Sequence, residues 1–525
     1  MTEVRNNPPF LYWLKNYGTS FLAGLCLLFA YAPFSQWWIT LVIFPLWLYK
    51  IQGLSSKPAF THGFYFGLGW FLSGISWVYV CIDRFGGTPL LVSVLLMLLL
   101  AAYLALFPAL ACYLSTKFSR NNKIKLYLLP ATWLFSEWIR ANFLTGFPWL
   151  SIGYSQIDGP LAALAPIIGE VGISFFIVLL SVSVVQYFHA KSKKVAIVTI
   201  VLLISSLVSS NLQNWGELTG KSIRTALVQG NIKQEVKWQK ELQWPTMMKY
   251  LTLTKENYDA DLIIWPESAI TGIEPLVITQ DFLELANRSA ALNKSTIITG
   301  ILNYNFESRQ SFNSLIVLGQ QHKTDTQGSY FYNNKNRYYK NHLLPIGEFV
   351  PFGDILRPLA PLFNLAQSSF TRGAYQQANI IAQDLHILPL ICFEIAFPEQ
   401  LAANFTETTN MILTVSNDAW FGNSHGPHQH LEIARMRALE FARPVLRTTN
   451  NGITAIINHH GKIQQQLPQF EELVLKDQVA LVTGKTPYQT IAPYITWLMI
   501  VPYLLSLLIF NFLAKIRLKK TNTNS

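Results

Sequence analysis

The first 212 residues carry apolar runs at roughly 17–34, 36–52, 60–81, 89–116, 124–141, 164–189 and 194–212, and an eighth follows at 490–513. At 1.5 Å per residue, most are long enough to cross about 30 Å of hydrocarbon. A chain in that medium must satisfy its backbone N–H and C=O groups within each segment, which leaves the helix as the structure for these runs. The runs at 36–52 and 124–141 are the shortest and are rich in Trp. No small-residue cleavage site follows the first run and further runs come at once, so it reads as a span and not as a signal peptide. The composition agrees: 51% of residues are apolar, 14% aromatic and only 13% charged, a balance suited to several transmembrane helices.

A formal net charge of +11 would suit nucleic acid, but the basic residues crowd at the ends of the apolar runs. Arg5, Lys15, Lys50, Lys57, Lys117 and Arg120 fall on one side, with Lys191, Lys193 and the tail residues Lys515, Arg517, Lys519 and Lys520. The opposite short loops hold little beyond Arg84 and Arg140. The positive-inside rule then places both termini in the cytoplasm. The expected domains are a seven-helix transmembrane part over 1–212, a part over 213–489 on the non-cytoplasmic side, and an eighth helix with a basic cytoplasmic tail over 490–525.

Residues 220–485 alternate strand-like and helical stretches. Apolar strand runs fall at 223–230, 261–266, 295–302, 313–319, 386–393, 410–417 and 453–458, with helices at 238–257 and 428–442. Short apolar strands separated by helices predict an α/β layered domain. Within it lies one cysteine, Cys392, since Cys26, Cys81 and Cys112 sit in or beside the apolar runs. A lone thiol in a non-cytosolic domain is either reactive or a buried inert side chain. Cys392 and Glu267 each stand at the exit of a strand run, where a side chain is held rigidly yet opens to a cleft. A thiol attacks carbonyl carbon as thiolate and needs a base or a nearby cation. Glu267 can accept its proton and return it to a leaving group. Lys340 can stabilise the thiolate and a tetrahedral oxyanion.

The surrounding words are more specific than the three residues alone. WPES (265–268), KNHLLPIGEFVPFG (340–353), ICFE (391–394) and SNDAWFG (416–422) match the nitrilase superfamily. With the apolar runs, the chain closely resembles that superfamily's membrane-embedded branch, the apolipoprotein N-acyltransferases. The resemblance extends over TGFPWLSIGYSQIDGPLA (145–162), RGAYQ (372–376) and RMRALEFARPVLRTTNNGITA (435–455). It implies an α+β membrane protein, with a nitrilase-like αββα sandwich set on an eight-helix transmembrane bundle. It places the catalytic residues at Glu267, Lys340 and Cys392, with Glu348 and Glu394 as supporting carboxylates. Phe393 stands where relatives carry Tyr, so any role passes to the ring. Trp238 matches a tryptophan near the substrate entrance, and Trp149 and Asn313 join it as candidate substrate contacts.

The same resemblance implies a ping-pong acyl transfer in the bacterial inner membrane, without cofactor or metal. The donor is a phospholipid, commonly phosphatidylethanolamine, and the acceptor is the α-amine of a diacylglyceryl-modified cysteine on an apolipoprotein. A membrane-tethered carbon–nitrogen hydrolase is the competing enzyme, and a polytopic transporter or scaffold the non-enzymatic alternative. Bland readings stand beside these. Lys340 can be a structural partner of Glu348, and Trp238 an interfacial belt residue. Lys335 lies outside the KNHLLP motif. His425, His428 and His430 fit no familiar metal spacing and read as a polar loop. Glu137, Arg140 and Glu170 sit near span ends, where function and snorkelling are equally open. Gly63 and Gly67 read as ordinary helix packing.

Overall fold

A computed structural model describes residues 14–85, 87–119, 125–190, 214–345, 347–349 and 370–523, with scattered positions between 197 and 208. The chain divides into two compact units, one holding 1–76, 94–212 and 491–525, the other 77–93 and 213–490.

The first unit is helical, with Thr19–Cys26, Trp38–Ile51, Ser56–Gly74, Leu129–Asn142, Ala165–Ala190, Ile495–Thr523 and most of Leu90–Lys117. Small residues let these helices cross closely. A Cβ on Gly63 would meet the Ala109 Cα at 2.8 Å, and one on Gly67 the Ala105 Cα at 2.9 Å, so this pair does serve packing. Arg140 does not snorkel. It is buried, and its Nη1 donates to the carbonyls of Phe147 and Trp149 at 2.8 and 2.6 Å.

The sequence predicts eight spans, and the described residues contain fewer regular ones. Leu90–Lys117, Pro160–His189 and Pro487–Phe510 are long and apolar enough to cross a membrane, and Ser56–Gly74 with Val78–Arg84 makes a fourth if the bent pair is one span. The differences have local causes. The run at 17–34 divides into a π turn, a short α-helix and a 3-10 turn. Trp38–Ile51 and Leu129–Asn142 have 14 residues each, about 21 Å of rise. The run at 194–212 lies outside the continuously described residues.

The second unit is built on two sheets. Its first half supplies β1 (Glu217–Gln229), β2 (Leu262–Ile264), β3 (Ile270–Ile273), β4 (Thr296–Asn305), β5 (Gln310–Gly319) and β6 (Arg337–Tyr339). The second half supplies β7 (Ile380–Ala382), β8 (Leu385–Ile391), β9 (Thr409–Ser416), β10 (Val445–Thr449), β11 (Ala455–Ile457), β12 (Ile463–Gln466) and β13 (Leu473–Thr483). One sheet runs β13-β1-β2-β4-β5-β6, with β3 also on β4, and the other runs β12-β11-β10-β9-β8-β7. Pairs β1–β2, β2–β4, β8–β9 and β9–β10 are parallel. Strands covered on both faces read as continuous Ile/Leu/Val runs, which is why they were visible in the sequence.

Leu227, Ile264, Ile298 and Leu315 of one sheet pack with Ile391, Met411, Leu413 and Leu446 of the other. On the far face of the first sheet, Met247, Leu251, Phe282 and Ala286 come from helices Lys240–Lys255 and Val277–Leu292. Helices Pro398–Asn404 and Gly426–Phe441 contact β8 and β10 of the second sheet. The layers are therefore α, β, β, α. Truncating a side chain such as Leu413 to Ala between the sheets would cost about 2–5 kcal/mol.

Candidate active site

Parallel strands deliver functional side chains at their carboxyl ends, and this unit follows that rule. Cys392 comes directly after β8, Asn417 and Asp418 directly after β9, and Glu267 shortly after β2. Lys340 directly follows β6, an edge strand antiparallel to β5. The Glu267 turn lies tightly on β4: a Cβ on Gly300 would meet the Ser268 nitrogen at 2.4 Å and the Glu267 Cα at 2.8 Å. Only glycine leaves room for that turn.

Around Lys340 the sequence-predicted residues converge. Its buried Nζ lies 2.9 and 2.8 Å from the two oxygens of Glu348, and 3.7 Å from Glu267 Oε1. Asn313 Nδ2 donates to Glu267 Oε1 at 2.8 Å and to Glu348 Oε1 at 3.1 Å. Its amide thus spaces two carboxylates, a placement unlike the substrate contact the sequence suggests. The remaining Glu267 oxygen accepts from the Asn417 N–H at 2.9 Å. Burial works against the Lys340 charge, but Glu348, then Glu267 and Cys392, outweigh it and hold its pKa well above the usual lysine value. Lys340 is thus a fixed cation. Lys335 is exposed, apart from this cluster.

Cys392 is half-buried and has a φ of +56°, the left-handed region that non-glycine residues enter at a cost of about 1–3 kcal/mol. Burial pushes its thiol pKa well up. Glu267 and Asp418 push the same way, and Lys340 and Ser416 pull it back. The resting sulfur therefore carries its proton.

Glu394 is fully buried and acts on backbone. It accepts from the N–H groups of Asn341, His342 and Ile391 at 2.8, 3.0 and 2.8 Å, from Tyr338 Oη at 2.9 Å, and from Gln400 at 3.0 Å. One carboxylate thereby ties the lysine loop to the cysteine turn. The Phe393 ring packs at 5.1 Å from Phe397, on which His342 stacks at 3.6 Å. Trp238 is half-buried beside Lys237, whose ammonium stands 5.7 Å from the indole. Trp149 belongs to the helical unit, where its ring is buried near Phe147.

Two features escaped the sequence. Lys237 is buried, donates to the Glu267 carbonyl at 3.2 Å, and is driven by burial, against Glu267, down to about 8. A lysine beside a tryptophan gives no signal of that. The histidines are not a polar loop: His428 and His430 lie in helix Gly426–Phe441, and His430 is buried with Nε2 3.1 Å from the Cys392 carbonyl oxygen. The SNDAWFG word ahead of them was the available hint.

Residues 224–486 match the carbon-nitrogen hydrolase family model, and 23–183 match that of the apolipoprotein N-acyltransferase N-terminal domain. The αββα layers and the match over residues 224–486 define a nitrilase-like protein of the carbon–nitrogen hydrolase class. The relatives narrow that class. The apolipoprotein N-acyltransferase of Shewanella oneidensis is 48% identical over 472 residues, covering 89% of this chain and 90% of its own. Those of Vibrio parahaemolyticus and Haemophilus influenzae are 46% and 38% identical, covering 89% and 96% of this chain and 91% and 96% of their own. The chain belongs to the apolipoprotein N-acyltransferase family.

Proposed function

We propose that the protein N-acylates apolipoproteins, moving one acyl chain from a membrane phospholipid through a thioester on Cys392. The observation that carries this reading is the convergence of Glu267, Lys340 and Cys392 at strand ends in one buried polar site. Glu267 takes the thiol proton as sulfur attacks the sn-1 ester carbonyl. A C–S bond forms, the ester C–O bond breaks, and the proton passes to the departing glycerol oxygen, leaving a lysophospholipid. Lys340, held charged by Glu348, faces the oxyanion of each tetrahedral intermediate. The α-amine of diacylglyceryl-cysteine then attacks the thioester. A C–N bond forms, the C–S bond breaks, and Glu267 relays the amine proton back to sulfur.

Both substrates carry two acyl chains, and each CH₂ taken out of water is worth about 0.8 kcal/mol. Neither will leave a bilayer for a site in solution. The reading therefore places residues 1–212 and 490–525 in the bacterial inner membrane as an eight-helix bundle. Residues 213–489 are periplasmic and both termini cytoplasmic, on the strength of the Lys/Arg bias of the short loops. Phosphatidylethanolamine is the proposed donor. Water has to be kept from the thioester until the amine arrives.

Intact-protein mass spectrometry of enzyme given labelled phospholipid tests this. Wild type is expected to carry a fatty acyl thioester at residue 392, discharged by a diacylglyceryl peptide, and Cys392→Ala to carry none. Release of ammonia from small amides without acyl transfer would favour a membrane-tethered hydrolase and overturn the reading.

A further inference from the structure

The acyl-transfer scheme leaves unused Ser416, which ends β9, and Asn417 and Asp418, which follow it. The Asn417 N–H holds Glu267. Asp418 Oδ2 accepts from Arg447 Nη2 at 2.5 Å. Ser416 Oγ donates to Asp418 Oδ1 at 2.6 Å, and Ser416 stands next to Cys392 because Ile391 and Val415, the residues just before them, are register partners in β8 and β9. The serine hydroxyl also pulls the Cys392 thiol pKa down. All of these side chains except Cys392 are buried.

A hydroxyl has one proton to give. While sulfur is protonated, the S–H can donate to Ser416 Oγ and the serine proton rests on Asp418. Once the sulfur is an anion, its own donor is gone and it becomes a strong acceptor beside the same hydroxyl. Asp418 can release that proton because Arg447 continues to neutralise it. A Cβ on Gly452 would meet Asp418 Oδ2 at 2.4 Å, so the carboxylate is confined in its place.

The same network reaches the backbone of the nucleophile. His430 Nδ1 lies 3.2 Å from Arg447 Nη2 and 3.3 Å from Asp418 Oδ1. Burial and then Arg447 push the His430 pKa down, so the ring is neutral. With Arg447 donating to Nδ1, the ring proton sits on Nε2 and is donated to the Cys392 carbonyl, fixing a residue in the left-handed region.

We propose that Ser416 is a further catalytic residue: its hydroxyl proton turns from Asp418 to the Cys392 sulfur as the thiol ionises, with Asp418, Arg447 and His430 as positioning residues. This rests on Cys392 being the nucleophile. The charged groups facing the sulfur are Glu267, Asp418 and Lys340. Glu348 stands behind Lys340, Lys237 behind Glu267, and Arg447 behind Asp418.

The test is the pH profile of iodoacetamide alkylation at residue 392, read by peptide mass spectrometry on the full chain in detergent. Ser416→Ala is expected to raise the midpoint by about one pH unit, the scale of a hydrogen bond to a charged group. Ser416→Thr is expected to stay near wild type. Ser416→Gly removes the same hydroxyl and gives the same reading where the alanine form does not fold. An unmoved midpoint in a folded variant without the hydroxyl, or an equal rise in the threonine form, overturns the proposal. Acyl-thioester detection in the same wild-type preparation separates the two claims. Its absence removes Cys392 as nucleophile, whereas its presence with an unmoved midpoint removes only the role of the serine.

Discussion

Two buried charge clusters meet beside the Cys392 sulfur, and they are composed differently. The one around Lys340 sets two carboxylates, Glu267 and Glu348, against one ammonium. The one around Arg447 sets a single carboxylate, Asp418, against a single guanidinium, with a neutral imidazole alongside. Taking a buried group out of charge balance is expensive. The balanced cluster therefore resists any change in protonation and serves as a frame. In the first cluster Glu348 neutralises Lys340 by direct contact, so on the reading proposed above Glu267 can pick up a proton without leaving that ammonium unpaired. On that reading the difference separates a place where protons move from a place that keeps geometry fixed.

Glu267→Gln strikes at that second carboxylate. It keeps shape and hydrogen-bonding capacity while removing the proposed base, so thioester formation in single-turnover assays is expected to fall about 10²–10⁴-fold with phospholipid binding retained. Normal acylation in this variant would end the distinction between the clusters. The balanced cluster is probed by acid. The Asp418 carboxyl is desolvated, which alone would raise its pKa, yet Arg447, with Ser416 donating to the same carboxylate, brings it to about 2 from an ordinary 3.8. A folded-state value below the unfolded one stabilises the fold at higher pH. That contribution, on the order of 2 kcal/mol, is full above about pH 5 and lost as pH falls toward 2. Arg447→Met is expected to flatten this part of the stability-versus-pH curve in denaturant melts. The smallest effect is expected outside both clusters: Lys335→Ala should leave activity within about twofold and stability within ±0.5 kcal/mol. A loss there matching that of Lys340→Ala would show that the lysine had been misassigned.

Much of this was legible in the sequence where apolar patterning carried it. Strands β2, β4, β5, β8 and β9 are centred on runs rich in Ile, Leu and Val, and helices Lys240–Lys255 and Gly426–Phe441 fell within a few residues of the expected 238–257 and 428–442. Strand β10 was not legible, because VLRTT contains Arg447, an unusual residue for the inside of a sheet until its Asp418 partner is seen. Peripheral β12, with all four residues exposed, has no apolar run to announce it. At the site, the strand-end positions of Glu267 and Cys392 were visible, but the jobs of the carboxylates were not. That Glu394 works through three backbone N–H groups, and Asn313 as a spacer, depends on contacts between segments far apart in sequence. The helical unit was the harder case. Composition identifies an apolar run, but the proline, glycine and aromatic residues within it decide whether it stays one helix.

The backbone bend at residue 392 has a consequence for engineering. Main-chain geometry there favours glycine, so the cysteine sits against the preference of the chain. Moving this cysteine into another scaffold would mean carrying along the imidazole that clasps its carbonyl, since a cysteine grafted alone would relax and swing its sulfur out of line.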